Sequence, residues 1–390
     1  MLNFPVSHEI FMDRYFEQEP LLCSGALRES SLAWKELDRV LQSLEPDPAV
    51  VQIFLDGQVD PATYISESFE LGLNRKRLNK SRFYDLMQHG ATLVLNRAEE
   101  LFPIGRHLSA LVGQFLRQPT TSNAYVSFSD ALPKGQGTFG KHWDTHDVFA
   151  IQLIGEKRWQ LYPPTQPLPL SHQTSRRMQQ QCPANPAYEY VLKAGDLLYV
   201  PRGWWHQVTP LATASLHLSV GTYPPSISDY ILWVCSRQLP QLLDARRSCL
   251  DTASLPTSLD KVMQALNQAV FNNTNVCDFL QSARAQERLQ SEFNTELLLA
   301  DPNISPDGAA HLRLTSVYEI TPGMREISVN GGRLKLSPAS HAIIQAFNRQ
   351  TVLSWAVLVE CLPQIPPPLL RDALLDLLRY EVVTLMSGAD

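Results

Sequence analysis

The sequence predicts an α+β chain that changes style twice along its length, and three observations carry that reading. Between residues 123 and 223, short β-type runs recur at 124–128, 148–154, 157–162, 189–192, 196–200 and 214–221. Pro133, Gly155, Pro163, Gly195, Pro201 and Gly203 punctuate them, as the tight corners of a small barrel require. From 227 to 299 the strands stop, and the glycine-free stretches 259–280 and 283–299 space their apolar residues as helices do. Beyond Asp301 and Pro302, a β-like region at 316–336 precedes helices at 339–347 and 369–378 and a last apolar strand at 382–386.

Upstream of the barrel, residues 4–116 mix strands at 51–55 and 91–95 with helices at 80–89 and 101–116, a flank built around a sheet. A chain of 390 residues exceeds one ordinary domain, and the changes of style place boundaries at 1–226, 227–303 and 304–390. The middle segment carries more apolar positions than a peripheral helix needs, which points to a homodimer. The last, with helices beside short strands, suggests a winged-helix module. There is no internal repeat, and only one proline cluster, at 363–368.

Composition excludes several classes. At 44% hydrophobic and 18% charged, the chain is globular rather than disordered. A net charge of −6 argues against gripping nucleic acid through an overall field and suits a basic polypeptide partner. Residues 1–9 contain no basic stretch followed by an apolar one, and 227–235 is too short to cross a bilayer, so the reading is cytoplasmic, without a membrane partner. Cys23, Cys182, Cys235, Cys249, Cys277 and Cys361 form no CxxC pair and read as buried free thiols.

Chemistry concentrates in two short runs. His142, Trp143 and Asp144 form an HxD motif, and 195–206 reads Gly-Asp-Leu-Leu-Tyr-Val-Pro-Arg-Gly-Trp-Trp-His, ending on His206. Residues at i and i+2 of an extended strand point the same way, so His142 and Asp144 can both aim into a barrel while Trp143 packs outward. A lone HxD is common by chance. A turn, an apolar strand, a second turn and a histidine opening the next strand make the combination far more specific. Two imidazoles and one carboxylate occupy one face of an octahedral iron(II), leaving adjacent positions for a bidentate keto acid and O2, although manganese accepts the same ligands. His142 and His146 are four apart and on a helix could bind zinc, but 148–153 reads as strand and no HExxH glutamate is present. Trp159, Trp204 and Trp205 read equally as cavity walls or as core packing. No phosphate-cradling glycine loop or nucleophile elbow occurs.

Residues 140–164, with His142, Asp144, Asp147, Val148, Phe149, Gln152, Gly155, Lys157, Arg158 and Trp159, together with 195–207, resemble the JmjC/cupin-type 2-oxoglutarate oxygenases, and among them the ribosomal oxygenases. That resemblance implies a double-stranded β-helix (a JmjC/cupin jelly-roll barrel), then a helical dimerisation domain and a C-terminal winged helix. It implies Fe(II), 2-oxoglutarate and O2, with the metal on His142, Asp144 and His206. It places Lys157 against the distal carboxylate of 2-oxoglutarate, as a buried dicarboxylate needs one fixed cation; as sequence alone, Lys157 also reads as a solvated turn residue. Asn123 and Tyr125 resemble positions that help hold the co-substrate, and Ser215 and His217 lie where they can face the same cavity, though each reads equally as packing.

The implied reaction is hydroxylation of an arginine or histidine side chain in a basic ribosomal protein. Lys157 resembles the eukaryotic, histidine-modifying branch, where the bacterial arginine-modifying branch has arginine. His146, where those bacterial relatives tend to have tyrosine, can border the substrate channel or be structural. The glycine- and serine-rich connection 127–141 reads as a mobile lip over the entrance. Two other readings stand beside this one: the same chemistry on another peptide, such as a natural-product precursor, or a non-catalytic barrel with a protein- or nucleic-acid-binding winged helix. Residues 369–378 carry only Arg371, balanced by Asp372 and Asp376, which favours protein contact over DNA.

Overall fold

The computed structural model describes residues 2–28, 32–128, 139–211, 214–249, 255–286, 293, 311–315, 324–329, 332–347 and 352–386. The chain divides into two units, Met1–Tyr223 and Pro224–Asp390.

The first unit runs α1 (His8–Arg14), β1 (Leu21–Cys23), α2 (Trp34–Ser43), β2 (Val51–Phe54), α3 (Pro61–Tyr64), β3 (Ile65–Glu70), β4 (Leu73–Leu78), α4 (Lys80–Gln88), β5 (Thr92–Asn96), α5 (Ala98–Leu101) and α6 (Pro103–Leu116). The barrel strands follow: β6 (Thr120–Ser127), β7 (Asp147–Ile154), β8 (Glu156–Tyr162), β9 (Tyr188–Lys193), β10 (Leu197–Val200), β11 (Trp205–Pro210) and β12 (Ser215–Thr222). A seven-stranded sheet has the order β1-β10-β7-β12-β6-β5-β2, and a three-stranded sheet the order β11-β8-β9.

Period-two alternation builds both sides of the large sheet. On β7, Phe149 and Ile151 pack with Phe11 of α1, Leu108 of α6 and their neighbours. Val148 and Ala150 point the other way, onto Trp159 and Leu161 of β8 and Leu192 of β9. The corner between β7 and β8 needs Gly155: its φ is +69°, and a Cβ there would lie 2.1 Å from the Ala214 carbonyl oxygen. That corner sets the register that turns Lys157 inward.

The second unit opens with α7 (Ile227–Gln238), α8 (Leu255–Val270) and α9 (Asn273–Gln286). Ser226 and Asp229 close a capping box at the start of α7. Then come β13 (His311–Leu314), β14 (Glu326–Val329), β15 (Gly332–Lys335), α10 (Pro338–Phe347), β16 (Val352–Ser354), α11 (Trp355–Cys361), α12 (Pro367–Arg379) and β17 (Val383–Met386). Strand β13 lies between β16 and β17, while β14 and β15 form a separate hairpin.

Several expectations need correction. The stretch 259–280 is helical as expected and falls on two helices, separated at Phe271 and Asn272, where Asn272 Oδ1 accepts from Thr274 N at 2.8 Å; an Asx turn competes with continued helix. The thiols are free, but only Cys23 is buried; Cys249, Cys277 and Cys361 are exposed, because they lie on short helices and connections rather than in a core. The HxD segment forms a single bridge, His142 with His206, and β7 begins only at Asp147. Pro133, most of the 127–141 connection and most of 283–299 lie outside the described residues.

Candidate metal centre

His142 and His206 are tied main chain to main chain. His142 N donates to His206 O at 3.2 Å and His206 N to His142 O at 2.7 Å. The imidazole centroids lie 4.2 Å apart. Asp144 is held by its main chain too, accepting at its carbonyl from Gly203 N at 3.0 Å. Gly203 has φ +86°, and a Cβ there would meet the Gln166 carbonyl oxygen at 2.6 Å. Trp143, between the ligand candidates, packs outward against Tyr162 and Trp205, and its carbonyl accepts from Ser175 Oγ at 3.0 Å.

These restraints bring one donor atom from each of His142, Asp144 and His206 within 4.8 Å of one another. His142 Nδ1 contacts the Gly140 carbonyl at 3.1 Å, and His206 Nδ1 the Trp204 carbonyl at 3.1 Å. A carbonyl only accepts, so each Nδ1 carries a proton, which leaves Nε2 as the atom of each ring able to ligate a metal. Burial, reinforced by His142, pushes His206 down to about 4, which keeps it neutral. Burial works against the Asp144 charge, but His206, His146 and His142 together hold its pKa below the usual value. Two imidazoles and one carboxylate are a fitting donor set for a divalent metal.

The triad borders a cavity of about 60 Å³ also lined by Tyr125, Lys157, Trp159 and His217, several times the ~10–15 Å³ a single water needs. Lys157 is 2% exposed. Its Nζ donates to the Tyr125 carbonyl at 3.2 Å and to His217 Nδ1 at 2.8 Å. No carboxylate pairs with it among the described residues. Burial pushes Lys157 down to about 7. Burial and the neighbouring Lys157 drive His217 well below its ordinary value, so its ring is the neutral acceptor. Tyr125 stacks on His217 with centroids 4.9 Å apart.

Two expected members stand outside the cavity wall. Asn123 sits behind Tyr125, bonded to its side chain and accepting from Arg97 N at 3.4 Å. Ser215 is fully buried at the start of β12, where the Gly155 corner packs on its backbone, and its hydroxyl has no partner among the described residues. The tryptophans divide: Trp159 lines the cavity, while Trp204 packs between the sheets and Trp205 against Trp143. The helical zinc pair does not form, since His146 lies outside any helix and stacks on Tyr223 at 4.5 Å. Sequence reasoning missed Thr92, Ser127 and Ser219, which line the cavity; period-two extension from Tyr125 and His217 reaches the last two.

Outside the triad the cavity meets an open cleft of about 1090 Å³, sharing His142, Asp144 and Phe139 and bordered by Thr145, His146, Gln173, Arg176 and Tyr223. A groove of about 620 Å³ between α2, β4 and α4 includes none of these residues.

A family model described as the JmjC domain matches residues 103–230, a span containing the triad and Lys157. The chain is 33% identical over 181 residues to the bifunctional lysine-specific demethylase and histidyl-hydroxylase NO66 of Drosophila persimilis, covering 44% of this chain and 25% of that protein. It is 30% identical over 252 residues to ribosomal oxygenase 2 of Rattus norvegicus, covering 58% of this chain and 48% of that one. The chain thus spans half or less of the curated relatives it matches. The structure of YcfD, a ribosomal oxygenase from Escherichia coli, in complex with cobalt and 2-oxoglutarate matches with a TM-score of 0.59 at 17% identity, covering 99% of this chain and 100% of that one. At that identity the likeness speaks for the fold, a JmjC cupin barrel carried in a chain of similar architecture.

Proposed function

We propose that the chain is an Fe(II)- and 2-oxoglutarate-dependent protein hydroxylase acting on an arginine or histidine side chain of a ribosomal protein. One observation carries the reading: a fitted His-Asp-His donor set and a buried ammonium without a carboxylate partner among the described residues share one small cavity. A buried cation is costly unless something neutralises it, and a dicarboxylate reaching from the metal does so. The relatives support the substrate class: their names include a histidyl-hydroxylase and ribosomal oxygenases, and YcfD binds cobalt with 2-oxoglutarate.

In this proposal His142, Asp144 and His206 hold the metal through two Nε2 atoms and a carboxylate oxygen. Iron(II) with 2-oxoglutarate supplies decarboxylation to succinate and transfer of one oxygen atom of O2 to a C–H bond. Lys157 fixes the far carboxylate, oriented by the Tyr125 carbonyl and His217. Asn123 steadies Tyr125, and Ser215 closes the barrel behind β12. Trp159 and Val208 keep water from the co-substrate, and the open outer cleft receives the peptide. The acidic net charge of −6 favours a basic one.

The second unit is read as a dimerisation segment at 227–303 and a winged-helix module at 304–390. Ile227, Leu232 and Met263 are 79%, 65% and 60% exposed, more apolar surface than isolated helices need. A monomer by light scattering at micromolar concentration would overturn the homodimer. On α12, Arg371 lies beside Asp372 and Arg379 beside Asp376, favouring protein over nucleic acid. No described helix is long and apolar enough to cross a membrane, and the proposed location is cytoplasmic.

The deciding experiment incubates the protein with Fe(II), ascorbate, 2-oxoglutarate and ribosomal proteins. Iron-dependent succinate together with a +16 Da peptide supports the reading, the mass being that of one oxygen atom. Absence of both leaves a non-catalytic barrel.

A further inference from the structure

The metal-binding residues are steadied from outside the cavity by a single turn, residues 201–204 between β10 and β11. Gly203 N donates to the Asp144 carbonyl at 3.0 Å, and the Trp204 carbonyl receives His206 Nδ1 at 3.1 Å. Trp204 N closes the turn on the Pro201 carbonyl at 3.2 Å. The placement of two of the three donors therefore depends on where this turn sits.

Two residues that follow α1 grip the same turn from its far side. Glu17 Oε1 meets Arg202 Nη2 at 2.5 Å, with the two side chains only 29% and 14% exposed. Gln18 O accepts from Trp204 Nε1 at 3.1 Å. Glu17 N donates to Tyr199 Oη at 2.9 Å, and that hydroxyl donates onward to Asp147 Oδ1 at 2.6 Å. Glu17 holds a left-handed backbone, φ +59°, which a residue with a side chain adopts only where its surroundings impose it. The grip is anchored, since Phe11 of α1 is fully buried and packs on Phe149 and Tyr199 with centroids 5.8 and 4.9 Å away.

We propose that the Glu17–Arg202 ion pair is a positioning device for the metal: the N-terminal segment clamps turn 201–204, and through Gly203 and Trp204 sets the spacing and orientation of Asp144 and His206. This rests on the assignment of those residues as metal ligands. Glu17 and Arg202 touch no reacting atom. Their effect passes through a main-chain bond to one ligand and a ring-orienting bond to another, the kind of outer contact whose loss weakens metal binding about 10–100-fold.

Cobalt(II) titration followed by d–d absorption tests this on the full chain, with Tm measured in parallel. Glu17→Ala and Arg202→Ala are expected to raise the cobalt Kd about tenfold and to shift the absorption envelope. Combining them should add little, as for two halves of one interaction. Glu17→Gln, which keeps a hydrogen bond and spares the fold if Glu17→Ala fails to express, should fall between. Leu37→Ala, a buried site away from the turn, supplies the control: it should lower Tm and leave cobalt binding unchanged. A cobalt Kd and spectrum like wild type in folded Glu17 and Arg202 variants would overturn the clamp, as would an equal loss in Leu37→Ala. Wild type that fails to bind cobalt, or binding that survives in His142→Ala, overturns the ligand assignment itself, and with it the clamp.

Discussion

The inner cavity and the outer cleft meet at His142 and Asp144 and are built on opposite principles. The inner cavity, about 60 Å³, has walls set by strand alternation, and its one cation is buried and already oriented. The cleft, about 1090 Å³, is open, and draws its walls from connections around 54–58, 140–146 and 173–179. A small co-substrate suits the first. An extended peptide, recognised by many weak contacts, suits the second. The contrast teaches that chemistry and specificity are separable in this barrel, and it can be broken experimentally.

The largest effect belongs to the shared boundary. His142→Ala should abolish metal-dependent succinate formation with and without peptide; activity above a tenth of wild type would remove His142 from the donor set. Next, Lys157→Ala should raise the 2-oxoglutarate KM about 30–100-fold, the loss of a charge-assisted contact worth about 2–3 kcal/mol, with peptide KM nearly unchanged. A matching rise in peptide KM would erase the distinction between the two regions.

A pH titration sharpens it further. Burial pushes Lys157 down to about 7, so its positive charge is present below that pH and fades above it. Affinity for 2-oxoglutarate at fixed metal should therefore weaken as pH rises through about 7, by up to about tenfold per unit. Lys157→Arg, cationic throughout, should flatten the profile. A profile that is flat in wild type would mean that the ammonium does not meet the co-substrate. The smallest expected change comes from the cleft. Tyr223→Ala, which removes the ring stacked on His146, should raise peptide KM about three- to tenfold, a loss of about 1 kcal/mol. Its peptide-independent succinate rate should stay at wild type, and a fall in that rate would place Tyr223 in the co-substrate site instead.

The same contrast explains what the sequence revealed. His142, Asp144 and His206 drew attention because an HxD motif and the 195–206 run stand out as short local patterns, although the HxD segment forms one bridge rather than a strand; Lys157 was reached through the family resemblance. Ser215 misled because it keeps the right parity while the Gly155 corner covers it. The cleft was hardly legible, since Gln173, Arg176 and Tyr223 come from irregular backbone with no period to read. Hairpin β3–β4 left no signal either: nearly all its residues are exposed, so neither face shows apolar alternation. The break between α8 and α9 depends on a local side-chain cap at Asn272, which apolar spacing does not register.

The two-way backbone bridge between His142 and His206 also bears on how the chain acquires its site. These histidines are separated by two strand pairings and long connections, so the donor set exists only after a large loop has closed, with the entropic cost that closure carries. During refolding, metal supplied early would find scattered imidazoles. Tight capture should arrive with the late, non-local contacts that also limit the folding rate. A spectroscopic metal is thus a clock for barrel closure, and by binding only the closed state it holds the chain there.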